Sequence, residues 1–492
     1  MFFTERMTAK QRKGFKASDA LFWAFLLFLI WIPIPLGSNR PWSWAVLEVW
    51  TFLMVIAWFA LWALGRVAMP DALRNAWPAF VLLALWLAEQ AIHVVPLPPS
   101  WVELLSPEAF RMHSLVADLG VRPDSMTLSI DPRASHVSLL KSLAYVGTFF
   151  LTLALLNRRS RILAAARVLV AWAILYSFYA VLMHLAGTPE ELFGTLIVHS
   201  DSAHGTYPNR NHYAGFLEMM LALGIGLLIA GLSERRFDSW KKFVRITIEW
   251  ILSPKMILRL ALCVLVIALT TTHSRMGNTA FFSALLIAGG IGIALSRYAT
   301  RNTVILLASL VAIDLLIVGS WFGVERLAQR LEDTTAQDVR EREEPAKYTV
   351  AIIKDYPVFG SGPGSFYVAF TRYRPETVVD LYDYTHNDYA QIASESGLLG
   401  FGLIGAFVVA TLGAALFAQW RRRDPLMRGM SFACIMGVTS LLIHSWVDFN
   451  LQVPANATYF MMMLALGWIS LHHDRRASAG NAPAVAGEAV AG

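Results

Sequence analysis

The sequence predicts an all-α fold, a polytopic membrane helix bundle of about 12 transmembrane helices. Apolar stretches of about 20 residues recur along the 492 residues, and each is long enough to cross about 30 Å of hydrocarbon as a helix. Hydrophobic residues make up 56% of the chain and charged residues 15%, which leaves too little polar surface for a soluble protein of this length. The mean hydropathy of +0.51 favours the same class.

Each apolar stretch marks one expected span. The spans are residues 20–36, 43–65, 76–95, 137–156, 162–186, 209–232, 257–272, 278–296, 302–322, 388–418, 429–447 and 455–472. Residues 1–19 are expected to form a cytoplasmic N-terminal segment, residues 20–472 the bundle, and residues 473–492 a disordered cytoplasmic tail. Two larger outside loops, residues 96–136 and 323–387, are expected to build a periplasmic cap.

Basic residues determine the predicted orientation. The basic start of the chain should stay in the cytoplasm by the positive-inside rule, and it contains Lys10, Arg12, Lys13 and Lys16. Later basic clusters, such as Arg158–Arg161 and Arg421–Arg423, fall in connections on the same side. The loops that hold His, Arg and Asn then face the periplasm. The first apolar stretch lacks a small-residue cleavage site, so it is interpreted as an anchor rather than a signal peptide.

Charge and cysteine content exclude several classes of partner. The net charge of +6 does not indicate a nucleic-acid partner, because the basic residues sit in short clusters between apolar stretches. Cys263 and Cys434 both lie within apolar stretches, so neither a disulfide nor a metal site is indicated. The sequence has no metal-ligand spacing and no G-x-S-x-G turn, so it gives no support for metal or serine-hydrolase chemistry.

A first polar cluster, residues 199–213, leads into the sixth expected span. Either Asn209 or Asn211 can cap the helix that follows. So many hydrogen-bond donors without a lysine are typical of a ligand surface, although a plain polar loop with a helix cap is an alternative. Arg210 would lie at the level of the lipid head groups, where its planar guanidinium can hold an anion.

A second cluster, Thr270–Gly277, separates two spans with almost no loop between them. An Arg costs about 2.5–3.5 kcal/mol at the centre of a bilayer and less near its edge, so a snorkelling Arg275 is one interpretation. The positive-inside rule disfavours an Arg in so tight an outside turn, which favours an anionic partner for it. A lipid-linked diphosphate meets that requirement, because one guanidinium can bridge two of its oxygens.

A third cluster, Tyr384–Gln391, opens the tenth span. Thr385 and Asp388 have capping-box spacing, which predicts that His386 lies in the first helical turn. The helix dipole disfavours a cationic imidazole there, and a neutral imidazole can accept a proton from an attacking hydroxyl. A structural, hydrogen-bonding role for His386 is the alternative.

Other polar residues give weaker signals. The segment Gly360–Gly364 has the composition of a phosphate loop but not its spacing, which favours a turn that supports the site. Arg340 and Arg342 lie in an acidic stretch where solvated ion pairs are the default. His444 and Asp448 are four residues apart and are expected to pair on one helix face. Four acids fall within apolar segments and are interpreted as bundle-interior contacts or as misplaced boundaries: Glu48, Glu89, Glu218 and Asp314.

Taken together, these motifs resemble the O-antigen ligase and Wzy-type polymerase superfamily. The resemblance rests on the order of Gly205–Gly215, His273–Gly277, Pro357–Gly364, His386–Tyr389 and Glu395–Gly400. The segment His444–Asn456 is similar to a pattern found in one branch of the superfamily. The resemblance covers residues 199–456.

The resemblance implies a glycosyltransferase of the bacterial inner membrane whose active face is periplasmic. Such an enzyme needs no metal, nucleotide sugar or other cofactor. It moves a glycan from undecaprenyl diphosphate to a hydroxyl of the lipid A core or of another glycan. By the family pattern His386 is the catalytic or acceptor-orienting residue, and Arg210 and Arg275 hold the diphosphate. The family's loop arginine matches Arg340 or Arg342, and the substrate-binding set is completed by Asn209, Asn211, His212 and Asn387.

Two other activities are open at this point. A flippase or transporter of lipid-linked sugars would carry charged residues along a path through the bilayer, whereas here they gather on one predicted face. A peptidoglycan-type polymerase or another lipid-diphosphate enzyme is the second alternative.

Overall fold

Sixteen helices and one short hairpin make up the described part of the structure, which is a computed structural model. It describes residues 9–117, 124–187, 189–197, 201–231, 254–295, 309, 336–376 and 382–473. The helices are α1 (Ala9–Trp31), α2 (Pro41–Ala63), α3 (Asp71–Asn75), α4 (Trp77–Ile92), α5 (Pro99–Leu105), α6 (Pro107–Ala117), α7 (Pro132–Leu155), α8 (Arg159–Ala186), α9 (Arg210–Ala230), α10 (Pro254–Thr271), α11 (Arg275–Leu295), α12 (Ala336–Asp355), α13 (Phe366–Tyr373), α14 (Asp388–Arg421), α15 (Pro425–His444) and α16 (Pro454–His472). Strands β1 (Glu190–Leu192) and β2 (Thr195–Ile197) pair antiparallel between α8 and α9.

The helical membrane bundle predicted from the sequence is confirmed. Seven helices of the described part are long and apolar enough to cross a membrane, and Ala17–Trp31, Trp77–Ile92 and Met256–Thr271 are shorter apolar helices. Each expected span except 302–322 coincides with a helix. The span at 302–322 lies outside the described residues apart from Ser309, and so does the expected tail from residue 474 onward.

The helix boundaries differ from the expected spans where caps and prolines determine them. Helix α1 begins at Ala9, before the expected span, and ends at Trp31 because Pro33 and Pro35 follow it. Helix α15 ends at His444, three residues before the expected boundary, so the residues that follow it form a turn instead of a helix face.

Helix α16 lies at the centre of the bundle and packs against α7, α14 and α15. Its residues from Pro454 to Ser470 are buried. Polar groups on this helix are satisfied inside the protein: Tyr459 donates to the carbonyl of Leu29, and Asn456 donates 2.9 Å to the carbonyl of His212. A helix surrounded by other helices therefore carries polar residues that a lipid-facing helix would not tolerate.

Glycines bring α9 and α15 into close contact. A Cβ at Gly226 or Gly429 would clash with the backbone of the other glycine. This approach of two backbones is the small-residue packing that membrane helices use in place of a hydrophobic driving force. It brings the end of α9 against the start of α15, at the end of the two helices away from the polar clusters.

A separate hydrophobic core joins the two large loops outside the bundle. Helices α5 and α6 come from the first loop and α12 and α13 from the second, and together they form what we call the cap. Its buried core is Val102, Ala109, Met126, Leu128, Ile352, Tyr356, Phe366, Ala369 and Phe370. Glu108 of the first loop also forms a salt bridge with Arg372 of the second. The cap is thus built from both loops, as the sequence predicts.

The two ends of the bundle carry different residues. The starts of α9, α11 and α14 and the end of α15 meet at one end, because Ala203 bonds to Thr271, and Asp388 to Ser445, through their backbones. We call this the site end. The opposite end holds the start of α8 and the α14–α15 connection, joined by an ion pair between Arg159 and Asp424 at 2.7 Å.

Candidate functional site

The first two polar clusters contact each other at the site end. The backbone N–H of Ala203 donates 2.9 Å to the carbonyl of Thr271, and His273 Nδ1 lies 2.8 Å from the carbonyl oxygen of Asp201. Ser274 Oγ accepts from the N–H of Gly277 at 3.2 Å, which caps the first turn of α11. The tight connection between α10 and α11 is therefore held against the loop that precedes α9.

The start of α9 is organised around the carboxylate of Asp448. Asn209 is the N-cap, since its side chain accepts from the N–H of Asn211 at 2.8 Å. Asn211 then donates through Nδ2 to Asp448 Oδ2 at 2.5 Å. His212 Nε2 lies 3.4 Å from Asp448 Oδ1. Of the two candidate caps, Asn209 has that role, and Asn211 and His212 hold an acid from the far end of the sequence.

Asp448 is almost completely buried, and its surroundings keep it ionised. Burial alone would raise the pKa of its carboxyl, but the hydrogen bond and charge of His212, the charge of His444 and the N–H of Phe449 outweigh burial. The net result is a pKa well below the ordinary value of an aspartate. Asp448 is therefore a fixed negative charge between two histidines.

Phe449 brings residues of the first and third clusters together. Its ring centroid lies 4.6 Å from that of His212 and 4.9 Å from that of His386, in edge-to-face arrangements. Tyr384 stacks on it at 4.6 Å. Burial, with the charges of Glu395 and Asp383, raises the pKa of Tyr384 to about 12, so this phenol is neutral at ordinary pH. The two histidines therefore lie on one aromatic side chain.

His386 precedes helix α14, and the predicted capping box of Thr385 and Asp388 is wrong. The N-cap is Asn387, whose side chain accepts from the N–H of Ala390 at 3.0 Å. Asn387 also donates 2.9 Å to the carbonyl of Trp446. Asn is among the strongest N-cap residues. The Thr385 hydroxyl instead donates to the carbonyl of Asn387 and accepts from its N–H.

The backbone of His386 has a strained conformation. Its φ is +52°, in the left-handed region that residues with a Cβ rarely adopt. Such strain persists only where the surroundings hold it, and it clusters at functional sites. The half-buried side chain is thereby directed to Phe449 and Tyr382, whose ring centroids lie 4.9 Å and 6.3 Å away.

Asp388 joins the start of α14 to the turn after α15. Ser445 Oγ donates to Asp388 Oδ2 at 2.8 Å, and the N–H of Leu451 donates to the same oxygen at 3.0 Å. The side chain is buried. This carboxylate fixes the segment that carries Asp448 and Phe449 beside His386.

His444 and Asp448 do not form the predicted pair on one helix face. Helix α15 ends at His444, so the four-residue spacing no longer aligns the two side chains. His444 Nδ1 instead lies 2.7 Å from Glu218 Oε1, and Ser440 Oγ donates to Glu218 Oε2 at 2.6 Å. Glu218 is thus a bundle-interior contact between α9 and α15, and Glu89, 3.0 Å from His93, is another.

The predicted arginines differ in their surroundings. Arg275 is the first residue of α11 and is exposed, and Arg210 is the first residue of α9 and is half-buried. Gly277, two residues after Arg275, packs beside Glu218, because a Cβ on this glycine would lie 3.3 Å from Glu218 Oε1. Arg342 is part of α12, and its side chain lies outside the described part of the structure, as does that of Arg340.

The glycine-rich segment Gly360–Gly364 is a turn that supports the site, as predicted. Helix α14 breaks at Gly397, whose φ is +61°. The break frees backbone groups, and the turn satisfies them: Gly362 donates to the carbonyl of Glu395 at 2.9 Å, and Leu398 donates to the carbonyl of Pro357 at 2.9 Å. The segment from Asp388 to the break is therefore held by the base of the cap.

Several residues of this site were not singled out from the sequence as site residues. Tyr384, Asp388, Phe449 and Glu395 acquire their roles only through contacts between distant segments. Phe449 lies in the segment His444–Asn456, whose pattern was noted without an assigned role. Its sequence signal was an aromatic residue between an acid and an asparagine, Asp448 and Asn450.

Residues 260–405 match a family model described as O-Antigen ligase. No curated protein matches the chain. The matched residues include Arg275, the Gly360–Gly364 turn and His386, while Arg210 and Asp448 lie outside them. The match indicates a membrane-embedded glycan ligase or polymerase, which acts on glycan substrates in a lipid bilayer. The chain is therefore related through residues 260–405 to the O-antigen ligase family, as its polar motifs predict.

Proposed function

We propose that this protein is a metal-independent glycosyltransferase that moves a glycan from undecaprenyl diphosphate to an acceptor hydroxyl at the periplasmic face of a bacterial inner membrane. The observation that carries the proposal is the meeting of His386 with His212 on Phe449, beside a buried, ionised Asp448. His386 lies in the segment that matches the O-antigen ligase family.

The orientation of the bundle supports a periplasmic site. Arginines concentrate at the opposite end, in Arg158–Arg161 and Arg421–Arg423, and such clusters stay in the cytoplasm. The site end carries histidines, asparagines, buried acids and the separate arginines Arg210 and Arg275 instead of such clusters. A lipid-linked donor would enter from the outer leaflet, between helices.

The reaction needs a base for the acceptor and a stabiliser for the leaving group. The acceptor oxygen attacks the anomeric carbon and forms the new glycosidic bond, while the bond from that carbon to the phosphate oxygen breaks. The electron pair leaves with the diphosphate, and the guanidinium groups of Arg275 and Arg210 stabilise its charge. The acceptor proton passes to the imidazole of His386. A single displacement inverts the anomeric configuration.

The remaining predicted residues have supporting roles in this scheme. Asn211 and His212 contact Asp448. Asn209 caps α9 directly before Arg210, and Asn387 caps α14 directly after His386. We retain Arg342 as a proposed substrate contact from the cap. No cofactor enters the mechanism.

A reconstituted transfer assay tests the proposal. Protein in nanodiscs is mixed with undecaprenyl-diphosphate glycan and with the acceptor, and both free undecaprenyl diphosphate and the lengthened product are measured. We expect stoichiometric release and transfer. A flippase would leave the covalent linkage intact, so recovery of unchanged lipid-linked glycan without free undecaprenyl diphosphate would overturn the proposal.

Surface glycan from a deletion strain separates the two forms of the proposal. Long chains that accumulate on the lipid carrier indicate a ligase, because polymerisation continues without it. A single repeat unit on the surface glycolipid indicates a polymerase. The His472→Ala variant, which alters a histidine at the opposite end, serves as the matched control and should restore normal glycan to the deletion strain.

A further inference from the structure

A further polar cluster lies between α2 and α7. Its members share electrostatic or ring contacts and come from four segments of the chain; we call it the α2–α7 cluster, and it consists of Trp44, Glu48, Lys141, Tyr145, Tyr384 and Glu395. Lys141 lies nine residues into α7, which places it about 14 Å along that helix from its start. Ionisable residues at such depth are costly and mark functional sites by default.

Lys141 occupies a defined position in this cluster. Its ammonium lies 3.8 Å from the centroid of the Trp44 ring, a cation–π contact. It is within electrostatic range of Glu48 and of Glu395, which lie on different helices. The side chains of Lys141, Trp44 and Tyr145 are each half-buried, so they retain surface that a ligand can reach.

One buried carboxylate oxygen of Glu48 receives no hydrogen bond from the described residues. Its side chain is 8% exposed, and Oε1 has no hydrogen-bond partner among the described residues. Thr51 Oγ1, one turn further along α2, is also buried without a partner. A buried carboxylate oxygen that lacks a donor is costly, and a ligand with hydroxyl groups would supply the donor.

The chemical groups of the cluster select the kind of ligand. Two carboxyl groups accompany the single ammonium, and their oxygens disfavour contact with the oxygens of a diphosphate. Uncharged sugar hydroxyls fit better, because they donate to Glu48 and accept from Lys141, while Tyr145 offers an aromatic surface. Glu395 is already bonded, since its Oε1 accepts from the N–H of Phe366 at 3.1 Å.

Tyr384 connects the α2–α7 cluster to the proposed catalytic histidine. It is within electrostatic range of Tyr145 and Glu395, and it stacks on Phe449, which contacts His386. A sugar bound by Glu48 and Lys141 would therefore be linked to His386 through the side chains of Tyr384 and Phe449.

We infer that the α2–α7 cluster is a binding subsite for an uncharged sugar unit, with Glu48 and Lys141 as the hydrogen-bonding groups. The inference rests on the proposed glycosyltransferase function. The sugar belongs either to the transferred glycan or to the acceptor, since both present the same hydroxyls.

Direct binding tests the subsite without requiring transfer. The neutral oligosaccharide released by mild acid from the lipid carrier is titrated calorimetrically into the full-length protein in nanodiscs. We expect Glu48→Gln and Lys141→Met each to weaken binding about tenfold, the effect of losing one charge-assisted hydrogen bond. Glu103→Gln and Lys347→Met are the matched controls, because both are exposed in the cap and Lys347 also lies over an aromatic ring, that of Tyr348.

Kinetics then identify which sugar is bound. A variant that raises the KM for the lipid-linked donor assigns the subsite to the transferred glycan, and one that raises the KM for the acceptor assigns it to the acceptor. The double variant E48Q/K141M removes both charges together and guards against misfolding caused by one unpaired buried charge. Unchanged oligosaccharide affinity in the folded double variant, or no binding by the wild type, would overturn the subsite. Absence of transfer by a wild type that binds the sugar would overturn the proposed function instead.

Discussion

The two ends of the bundle neutralise their buried charges in different ways. At the opposite end, arginines pair with aspartates: Arg161 contacts Asp19 at 2.5 Å, and Arg159 contacts Asp424. At the site end, imidazole, amide and hydroxyl groups satisfy the carboxylates of Glu218, Asp388 and Asp448. An arginine–aspartate pair does not titrate near neutral pH, whereas an imidazole does. The proposed proton transfer needs a group of the second kind, and the site end carries imidazoles among its polar groups.

The largest expected effect is that of His386→Ala. Loss of a general base typically costs a factor of 100 to 10,000, so we expect kcat to fall about a thousandfold. The measurement is transfer by purified protein in nanodiscs, with insertion and melting temperature checked in parallel. The control at the opposite end is His472→Ala, which should leave kcat unchanged. Equal losses in both variants would remove the distinction between the ends.

Arg275→Ala should reduce kcat about a hundredfold, because one donor to the developing charge of the leaving group is lost. Arg275→Lys should recover part of the rate, since it keeps the charge and loses the planar fork. Arg159→Ala removes a partly exposed ion pair and should change stability by less than about 1 kcal/mol, with full activity. Wild-type kinetics in Arg275→Ala would contradict the assignment of the diphosphate site.

Asp448→Asn should lower the free energy of unfolding by about 1.5–3 kcal/mol, because the charge that accepts the hydrogen bond of Asn211 and lies 3.4 Å from His212 is lost. Asp424→Asn is the matched change at the opposite end. Asn still caps α15, and only a partly exposed ion pair is lost, so its effect should stay below about 1 kcal/mol. Denaturant titration of both variants measures the difference, and equal costs would contradict it.

Two glycines, one in the turn that supports the site and one in α14, allow the same comparison for the backbone. Gly360→Ala should destabilise by about 2 kcal/mol, because its φ is +75° and a Cβ would clash with the backbone of Glu395. Gly413→Ala, further along α14, meets nothing within 4 Å and should stabilise the helix by up to about 1 kcal/mol. Melting temperatures check both, and a stable Gly360→Ala would show that the turn does not need glycine there.

The pH dependence of the transfer rate should come from a histidine and not from Asp448. Because the folded pKa of Asp448 lies below its unfolded value, the stability it contributes is present above the ordinary carboxyl pKa of about 4 and is lost only as pH falls through the folded value. Between pH 5 and 8 it stays ionised. The rate should fall about tenfold per unit below pH 6, as the base becomes protonated.

The variant His212→Gln separates the two histidines on Phe449. If His386 is the base, the acid limb of the kcat profile persists in this variant at a reduced rate. Disappearance of the limb would identify His212 as the titrating group and leave His386 with a structural role.

Local sequence signals predicted the helices and the polar motifs well, and long-range contacts much less. The apolar runs gave the bundle, and the glycine content of Gly360–Gly364 gave a turn. The capping box at Thr385 was wrong because Asn387 competes for the same helix start and is the stronger N-cap. The pairing of His444 with Asp448 was wrong because the helix ends between them.

The site itself depends on contacts that periodicity does not encode. Asp448 and Asn211 are 237 residues apart, and their hydrogen bond follows from the close packing of α9 on α15. A sequence reading can place both residues at one membrane face. It cannot tell that the carboxylate meets Asn211 and His212 in preference to the nearer His444.

The central claim is that the site end faces the periplasm and the arginine-rich end the cytoplasm, and cysteine labelling tests it most directly. In a background of Cys263→Ser and Cys434→Ala, single cysteines replace the exposed residues Arg275, Asp383 and Arg423. A membrane-impermeant maleimide applied to cells with a permeabilised outer membrane should label positions 275 and 383. Position 423 should be labelled only after the inner membrane is opened. Labelling of 275 and 383 from opposite sides, or of 423 from outside, would contradict the account.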